Sequence, residues 1–381
     1  MPRERIKEFY HRYLIQHTLF RSVSFLLKCL PGGDYVKDAE RGGKPGWRRT
    51  RPCPERWKDV RAAVICDDMT WATLQNMGHA VYLTPADWFE KLEEEKPDLL
   101  FCEATWSGLS SKDCCWEGRI IRDTGVWPEN RFVLKRILRY CKEAGIPTVF
   151  WNKEDPVSDN ERYHFTETAL LFDHIFTTAQ ERIPAYEALG HKSVHLMMFG
   201  YAPELFPLLG PAKEPGTAVF FGGWYGRLPD RCADTVRMLD WVLDKGLRLV
   251  IYDRRYGTDD PVRQFPERFR PYTRPGVPYE KISEELEAYQ YLINLNSVKD
   301  SQTMFARRVF EGMASGRMIL SNESVGMRRL FPDTVWYLGE DFDTSREAEA
   351  VAQNRKIVSE RFTIEAQMDQ MLRTICEDCD K

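Results

Sequence analysis

The sequence predicts an α/β protein made of two doubly wound, Rossmann-like halves behind an N-terminal amphipathic helix. Three observations carry this prediction. Short β-branched and apolar runs alternate with helical periods through most of the chain, the pattern of parallel sheets covered by helices. The chain has 381 residues, more than one core usually organises. The stretch from Gly200 to Gly216 carries four prolines and divides the pattern into two similar sets, as an interdomain hinge does.

Taken in order, Arg3 to Leu30 reads as a helix with Ile6, Phe9, Tyr10, Tyr13 and Leu14 on one face, and Arg3, Arg5, Lys7 and Arg12 among them. A basic amphipathic helix suits an anionic membrane surface, or packing on its own domain or another subunit. Pro31-Gly32-Gly33 breaks it. Lys37 to Pro54, rich in Gly, Pro and Arg, reads as a linker or mobile loop. Strands are expected at Ala62–Cys66, Val81–Leu83, Leu99–Cys102, Thr148–Trp151, His174–Thr177 and Val194–Met198, with a helix over Glu129–Ala144. A second set follows at Ala218–Phe221, Arg248–Tyr252, Tyr291–Leu295, Met318–Leu320 and Val335–Leu338. Helices are expected over Asp230–Lys245, Glu280–Tyr289 and Arg346–Thr374. The expected division is helix and linker over 1–54, a first domain over 55–205, a second over 206–362 and a terminal helix over 363–381.

Composition narrows the function classes. Apolar content of 43% and charged content of 29% are ordinary for a soluble protein, and a net charge of −4 gives no general footprint for nucleic acid. The N-terminus lacks the continuous apolar region of a secretory leader. The 10 cysteines are therefore expected as reduced thiols in a cytoplasm, at most peripheral to the inner face of a membrane. No apolar run reaches the roughly 18 residues that span a bilayer. Eight of the 11 tryptophans lie at or before Trp151, which suggests an aromatic-lined surface in the first half. The seven histidines show no H-x3-H or H-E-x2-H spacing, and Cys376-x2-Cys379 has no second pair, so no metal is expected.

The chemistry concentrates in Tyr291 to Asn322. An apolar strand ends in Asn296-Ser297, Asp300 or Ser301 can cap a helix, and Ala306, Val309, Phe310 and Met313 recur at helical spacing. Gly316 stops the helix before Met318-Ile319-Leu320. A helix N-terminus at a sheet edge favours phosphate. Ser301 and Thr303 offer hydroxyls, Arg307 or Arg308 can neutralise a diphosphate, and Glu311 can accept both hydroxyls of a ribose. Spacing alone also fits an i,i+4 surface ion pair between Arg307 and Glu311. Gly222 and Gly223, after the first strand of the second half, allow close backbone approach to a diphosphate, with Arg227 and Arg231 nearby.

The pattern SxTxxxxRxFExxASG over Ser301, Thr303, Arg307 or Arg308, Phe310, Glu311, Ala314 and Gly316 resembles GT-B glycosyltransferases of the CgeB-like, spore-maturation type, and related teichoic-acid and cell-surface enzymes. FWNKEDP at Phe150–Pro156, FDHIFTT at Phe172–Thr178 and FFGGWYGRLPDR at Phe220–Arg231 extend the resemblance over most of the chain from about Phe101. It implies two domains facing across a cleft, a terminal helix returning to the first domain, Glu311 on the donor ribose, and Tyr252 near the nucleobase. Where many GT-B enzymes carry a second glutamate, this chain has Thr303.

The resemblance implies transfer of a sugar from a nucleotide donor, expected to be UDP-linked, onto a hydroxyl of a cell-surface glycan, glycopolymer or protein, with no cofactor beyond the nucleotide-sugar. An inverting transfer needs a general base. Asp155, Glu103 and Glu154, at two strand ends of the first half, are the candidates, while Lys153 can contact an acidic acceptor. Asp341-Phe342-Asp343 mimics a metal-binding DxD but falls late, among loop residues. The alternatives are a non-catalytic nucleotide- or carbohydrate-binding protein of the same fold, or an enzyme glycosylating modified DNA bases.

Overall fold

A computed structural model describes residues 27–28, 33–52, 54–123, 129–156, 163–341 and 343–379. The basic helix expected over residues 3–30 lies outside the described residues apart from 27–28, and so does Phe342.

The first sheet is built from β1 (Arg61–Ile65), β2 (His79–Tyr82), β3 (Leu99–Glu103), β4 (Thr148–Asn152), β5 (His174–Thr177) and β6 (Val194–Leu196), all parallel, in the order β2-β1-β3-β4-β5-β6. The second contains β7 (Glu214–Gly222), β8 (Arg248–Asp253), β9 (Thr273–Pro275), β10 (Tyr289–Asn294), β11 (Met318–Ser321) and β12 (Trp336–Tyr337), also parallel, in the order β9-β8-β7-β10-β11-β12. Strands such as Leu99–Glu103 are apolar almost throughout because both sheet faces are covered. The edge strand β9 escapes a hydrophobicity reading, since it is short, exposed and ends in proline.

Strand order reverses between β1 and β3 in the first sheet and between β7 and β10 in the second. Such reversals open crevices at the carboxyl ends of the strands. The chain thus presents Asp67 and Glu103 at one crevice, and Gly222, Gly223 and Leu295 at the other.

The described helices used below are α1 (Asp68–Leu74), α2 (Phe132–Ala144), α3 (Pro229–Asp244), α4 (Arg308–Ala314), α5 (Glu347–Arg361) and α6 (Ile364–Cys379). Helix α2 begins three residues later than the sequence suggests, because the Glu129 carboxylate accepts from the backbone N–H of Asn130 (2.9 Å) and Arg131 (3.0 Å) ahead of it. Helix α4 also starts late. Ser301 Oγ accepts from the backbone N–H of Met304 at 2.9 Å, which makes a side-chain-capped turn in place of a helical first turn. Gly316 follows α4 at φ +75°, the left-handed stop expected of it. Gly312 lets α4 lie close on the sheet, since a Cβ there would meet Leu292 Cδ2 at 2.4 Å.

The stretch read as a linker, Lys37 to Pro54, is instead held along the first domain. Trp47 donates its indole N–H to Leu92 O (3.2 Å) and to Tyr140 Oη (3.1 Å), and Arg51 pairs with Asp98. The single helix expected over Arg346–Thr374 is two, broken at Phe362. There Tyr201 N–H donates to Phe362 O (3.0 Å) and Ile364 N–H donates to Tyr201 O (2.8 Å). The two passages of the chain between the sheets therefore pair with each other. Beyond the break, α6 buries Ile364, Met368, Met371, Leu372 and Ile375 in the core of the first sheet. Of the early tryptophans, Trp57, Trp88, Trp116 and Trp151 are core residues, and Trp106 is 41% exposed.

Candidate active site

Two polar clusters face each other at the crevices. In the first, β1 delivers Asp67 and the start of α1, β3 delivers Glu103, and β4 delivers Lys153. Glu103 is fully buried. Its Oε1 accepts from Asp67 N–H at 2.6 Å and from Lys153 Nζ at 3.0 Å, and its Oε2 accepts from Thr70 Oγ1 at 2.6 Å. Lys153 Nζ also donates to Asp67 Oδ2 at 3.2 Å. Burial works against the Lys153 charge, but the Glu103 and Asp67 carboxylates outweigh it and raise the ammonium pKa above lysine's ordinary value. Asp67 in turn accepts from the backbone N–H of Trp106, Ser107 and Gly108, which fixes the loop after β3.

The second cluster surrounds α4. Arg307 is buried and donates from Nη2 to Thr70 Oγ1 at 3.0 Å, joining the first cluster across the cleft. Burial opposes its charge, but Tyr279, Glu311 and Glu103 prevail and raise its pKa. Glu311, buried one turn along, accepts from Tyr279 Oη at 2.5 Å. Burial pushes the Glu311 carboxyl above its ordinary value against the pull of Arg307.

Arg308 points the other way. Its guanidinium lies over the Phe220 ring, 5.3 Å from the centroid, and its Nη1 is buried without a hydrogen-bond partner. Burial, then the like charges of Arg254 and Arg231, push its pKa down to about 9. A guanidinium does not surrender its proton near neutrality, so an anion is the natural relief. Arg231 is itself depressed by burial and by Arg254, while donating to Leu295 O at 3.2 Å. Three arginines thus converge beside Gly222 and Gly223, at the reversal of strand order. A Cβ at Gly222 would lie 2.3 Å from the Phe220 ring and force that ring to shift, whereas at Gly223 the nearest atom is 3.9 Å away, which leaves space.

No protein-family model matches the chain, and no curated protein matches it. Among solved structures it is similar to HepE of Anabaena in complex with UDP-glucose, at TM-score 0.54 and 12% identity, covering 84% of this chain and 100% of that one. A glycosyltransferase of Rickettsia africae matches at TM-score 0.50 and 10% identity, over 84% and 98% of the two chains. The fold is GT-B.

In the GT-B cleft the residues singled out from sequence separate into groups. Arg308, Glu311, Arg231, Gly222 and Gly223 gather at the second crevice, while Arg307 reaches across to Thr70. Ser301 and Thr303 are near it, but their hydroxyls are engaged with protein. Ser301 caps its own turn, while Thr303 Oγ1 donates to Thr178 O (2.8 Å) and accepts from Gln180 N–H (2.9 Å) in the first domain. Tyr252 is packed away. It stacks on Phe221 at 4.9 Å, and its hydroxyl meets Glu285 and Tyr289.

The three carboxylates differ more sharply. Glu103 is locked in the buried network. Asp155 is 2% exposed, and its Oδ2 accepts from Thr177 Oγ1 (2.8 Å) and Tyr186 Oη (2.9 Å). Glu154 is half-buried, and burial raises its carboxyl pKa above the ordinary glutamate value, with Lys153 and the Trp106 indole working in the opposite direction. The Arg307–Glu311 surface pair does not form, since both side chains are buried. Asp67, Thr70, Arg254 and Tyr279 were not singled out. Asp67 and Arg254 share one legible signal, a charged residue just beyond a strand's carboxyl end. Among the described residues, no group of three or more His, Cys, Asp or Glu is placed to hold a metal. No helix among the described residues is long and apolar enough to cross a membrane.

Proposed function

We propose that this protein is a nucleotide-sugar glycosyltransferase of the CgeB-like type, taking a UDP-linked donor and delivering the sugar to a hydroxyl of a cell-surface glycan, glycopolymer or protein. The observation that carries the reading is Arg308: a guanidinium with a buried unpartnered Nη1, set against two further arginines beside a glycine pair at a strand-order reversal. Such a cluster is suited to a diphosphate. Glu311, one turn away, is suited to the ribose hydroxyls once Tyr279 yields its hydrogen bond. HepE, of the same fold, has been crystallised with UDP-glucose.

In the reaction, the acceptor oxygen forms a bond to the anomeric carbon as the carbon–oxygen bond to the diphosphate breaks. The diphosphate leaves with the electron pair, and Arg308, Arg231 and Arg254 offset its charge without a metal ion. For an inverting transfer, Glu154 takes the hydroxyl proton. Its raised pKa suits a base better than an ordinary surface carboxylate. Asp155 and Glu103 hold the architecture around it.

A second reading is a binding protein without chemistry, and one observation favours it: Thr303 stands where many GT-B enzymes have a glutamate, and its hydroxyl is spent on the domain contact. Calorimetric titration with UDP, dTDP, GDP, CDP and ADP tests the nucleotide site. Selective micromolar binding of one supports it, and no binding to folded protein refutes it. Release of free sugar from the matching nucleotide-sugar, absent from a binding protein, separates the two readings.

A further inference from the structure

Next to the diphosphate arginines lies a cavity of about 390 Å³ at the carboxyl ends of β7 and β8. Four arginines line it, Arg227, Arg254, Arg255 and Arg263, together with the aromatic residues Trp224 and Tyr225, and no carboxylate is among its lining residues. Arg263 is compensated nearby, its Nε lying 3.3 Å from Asp260 Oδ2. Arg254 bears instead on Arg308 and Arg231, disfavouring the charge of both. Asp253, at the end of β8 and outside the lining, accepts from the backbone N–H of Arg255 at 2.9 Å; burial raises its pKa while the charge of Arg255 pulls it down, so Arg255 is offset in part and Arg227 is left facing the cavity.

The cationic charge here exceeds what a donor diphosphate needs. In a nucleotide-sugar each phosphate of the diphosphate carries a single negative charge, and Arg231, Arg254 and Arg308 already match it. Arg227 and Arg255, both exposed, remain on the cavity wall. Tyr225 is 43% exposed and carries Arg231 at 5.0 Å from its ring centroid. Aromatic rings suit the apolar face of a sugar, and free guanidiniums suit a carboxylate or phosphate on it.

Resting on the donor site proposed above, we infer that this cavity is a subsite for an acidic sugar, a ring bearing a carboxylate or phosphate, supplied by the donor or by the acceptor. The two sources share the same recognition chemistry and differ in what must be bound first.

The test is calorimetry on the full chain with UDP, UDP-glucose and UDP-glucuronate, repeated on an Arg227→Gln/Arg255→Gln variant. If the donor supplies the acid, UDP-glucuronate binds about tenfold or more tighter than UDP-glucose, and the double variant erases the difference while still binding UDP-glucose. If the acceptor supplies it, the two donors bind alike. Glucuronate or glucose 6-phosphate then binds the UDP-saturated protein where glucose does not, and the variant loses that binding. UDP binding with no preference for either acidic sugar in any arm overturns the inference and leaves the donor site standing. Failure of every nucleotide to bind sinks the donor site and the inference together.

Discussion

Arg307, at the start of α4 on the second sheet, donates a 3.0 Å hydrogen bond to Thr70 Oγ1 on α1 beside the first. The Thr70 hydroxyl donates in turn to Glu103, which also accepts from Lys153, so one chain of hydrogen bonds runs between the domains. Thr70→Val keeps the shape and removes the link. It leaves Arg307 Nη2 without this acceptor, and Nε already has none. A loss of about 1–3 kcal/mol is expected, read as a lower urea midpoint. A midpoint unchanged within error would mean that the contact does not hold the domains.

Arg308 gives the opposite signature. Its charge is disfavoured by burial and by two arginines, so replacing it with methionine removes repulsion from the folded state. Arg308→Met should therefore melt no lower than the parent protein, while UDP affinity falls by about ten- to a hundredfold. A variant that melts lower and still binds UDP would show Arg308 to be structural.

These two arginines also mark what the sequence discloses. The strands were legible because parallel strands buried on both faces are continuous apolar runs, as at Leu99–Cys102 and Tyr291–Leu295. The reversals of strand order that create the crevices were not, since pairing across the sheet leaves no local mark. From spacing alone Arg307 and Glu311 read more readily as an exposed pair, because four residues of separation say nothing of Thr70, 237 positions away. Asp155 looked available at a strand end, yet Thr177 and Tyr186 close over it. Tyr252 has the position that the resemblance implies for the nucleobase, yet Phe221 takes its ring and Tyr289 its hydroxyl.

Glu311→Gln separates ribose recognition from packing. Glutamine retains a carbonyl oxygen for Tyr279, whose hydroxyl lies 2.5 Å from the native carboxylate, and it removes a charge that burial disfavours. Stability should hold or rise. Nucleotide affinity should fall about tenfold or more through loss of a charged acceptor for the ribose hydroxyls. Thermal melting and calorimetry on the same sample check both halves, and unchanged affinity removes Glu311 from the ribose.

The neighbours Glu154 and Asp155 divide chemistry from architecture. Asp155→Asn disturbs a buried acceptor of two hydroxyls, so its main effect is expected on thermal stability. Glu154→Gln should leave donor affinity near the parent value and lower turnover by about 10²–10⁴-fold. The pH profile is the sharper readout. A base works when deprotonated, and burial raises the Glu154 pKa. The acid limb of kcat/KM should therefore rise with pH through a midpoint above an ordinary glutamate's, and activity should be lost as pH falls through it. That limb should vanish in Glu154→Gln and persist in Asp155→Asn. Were it to persist in Glu154→Gln, the proton would be leaving to another group.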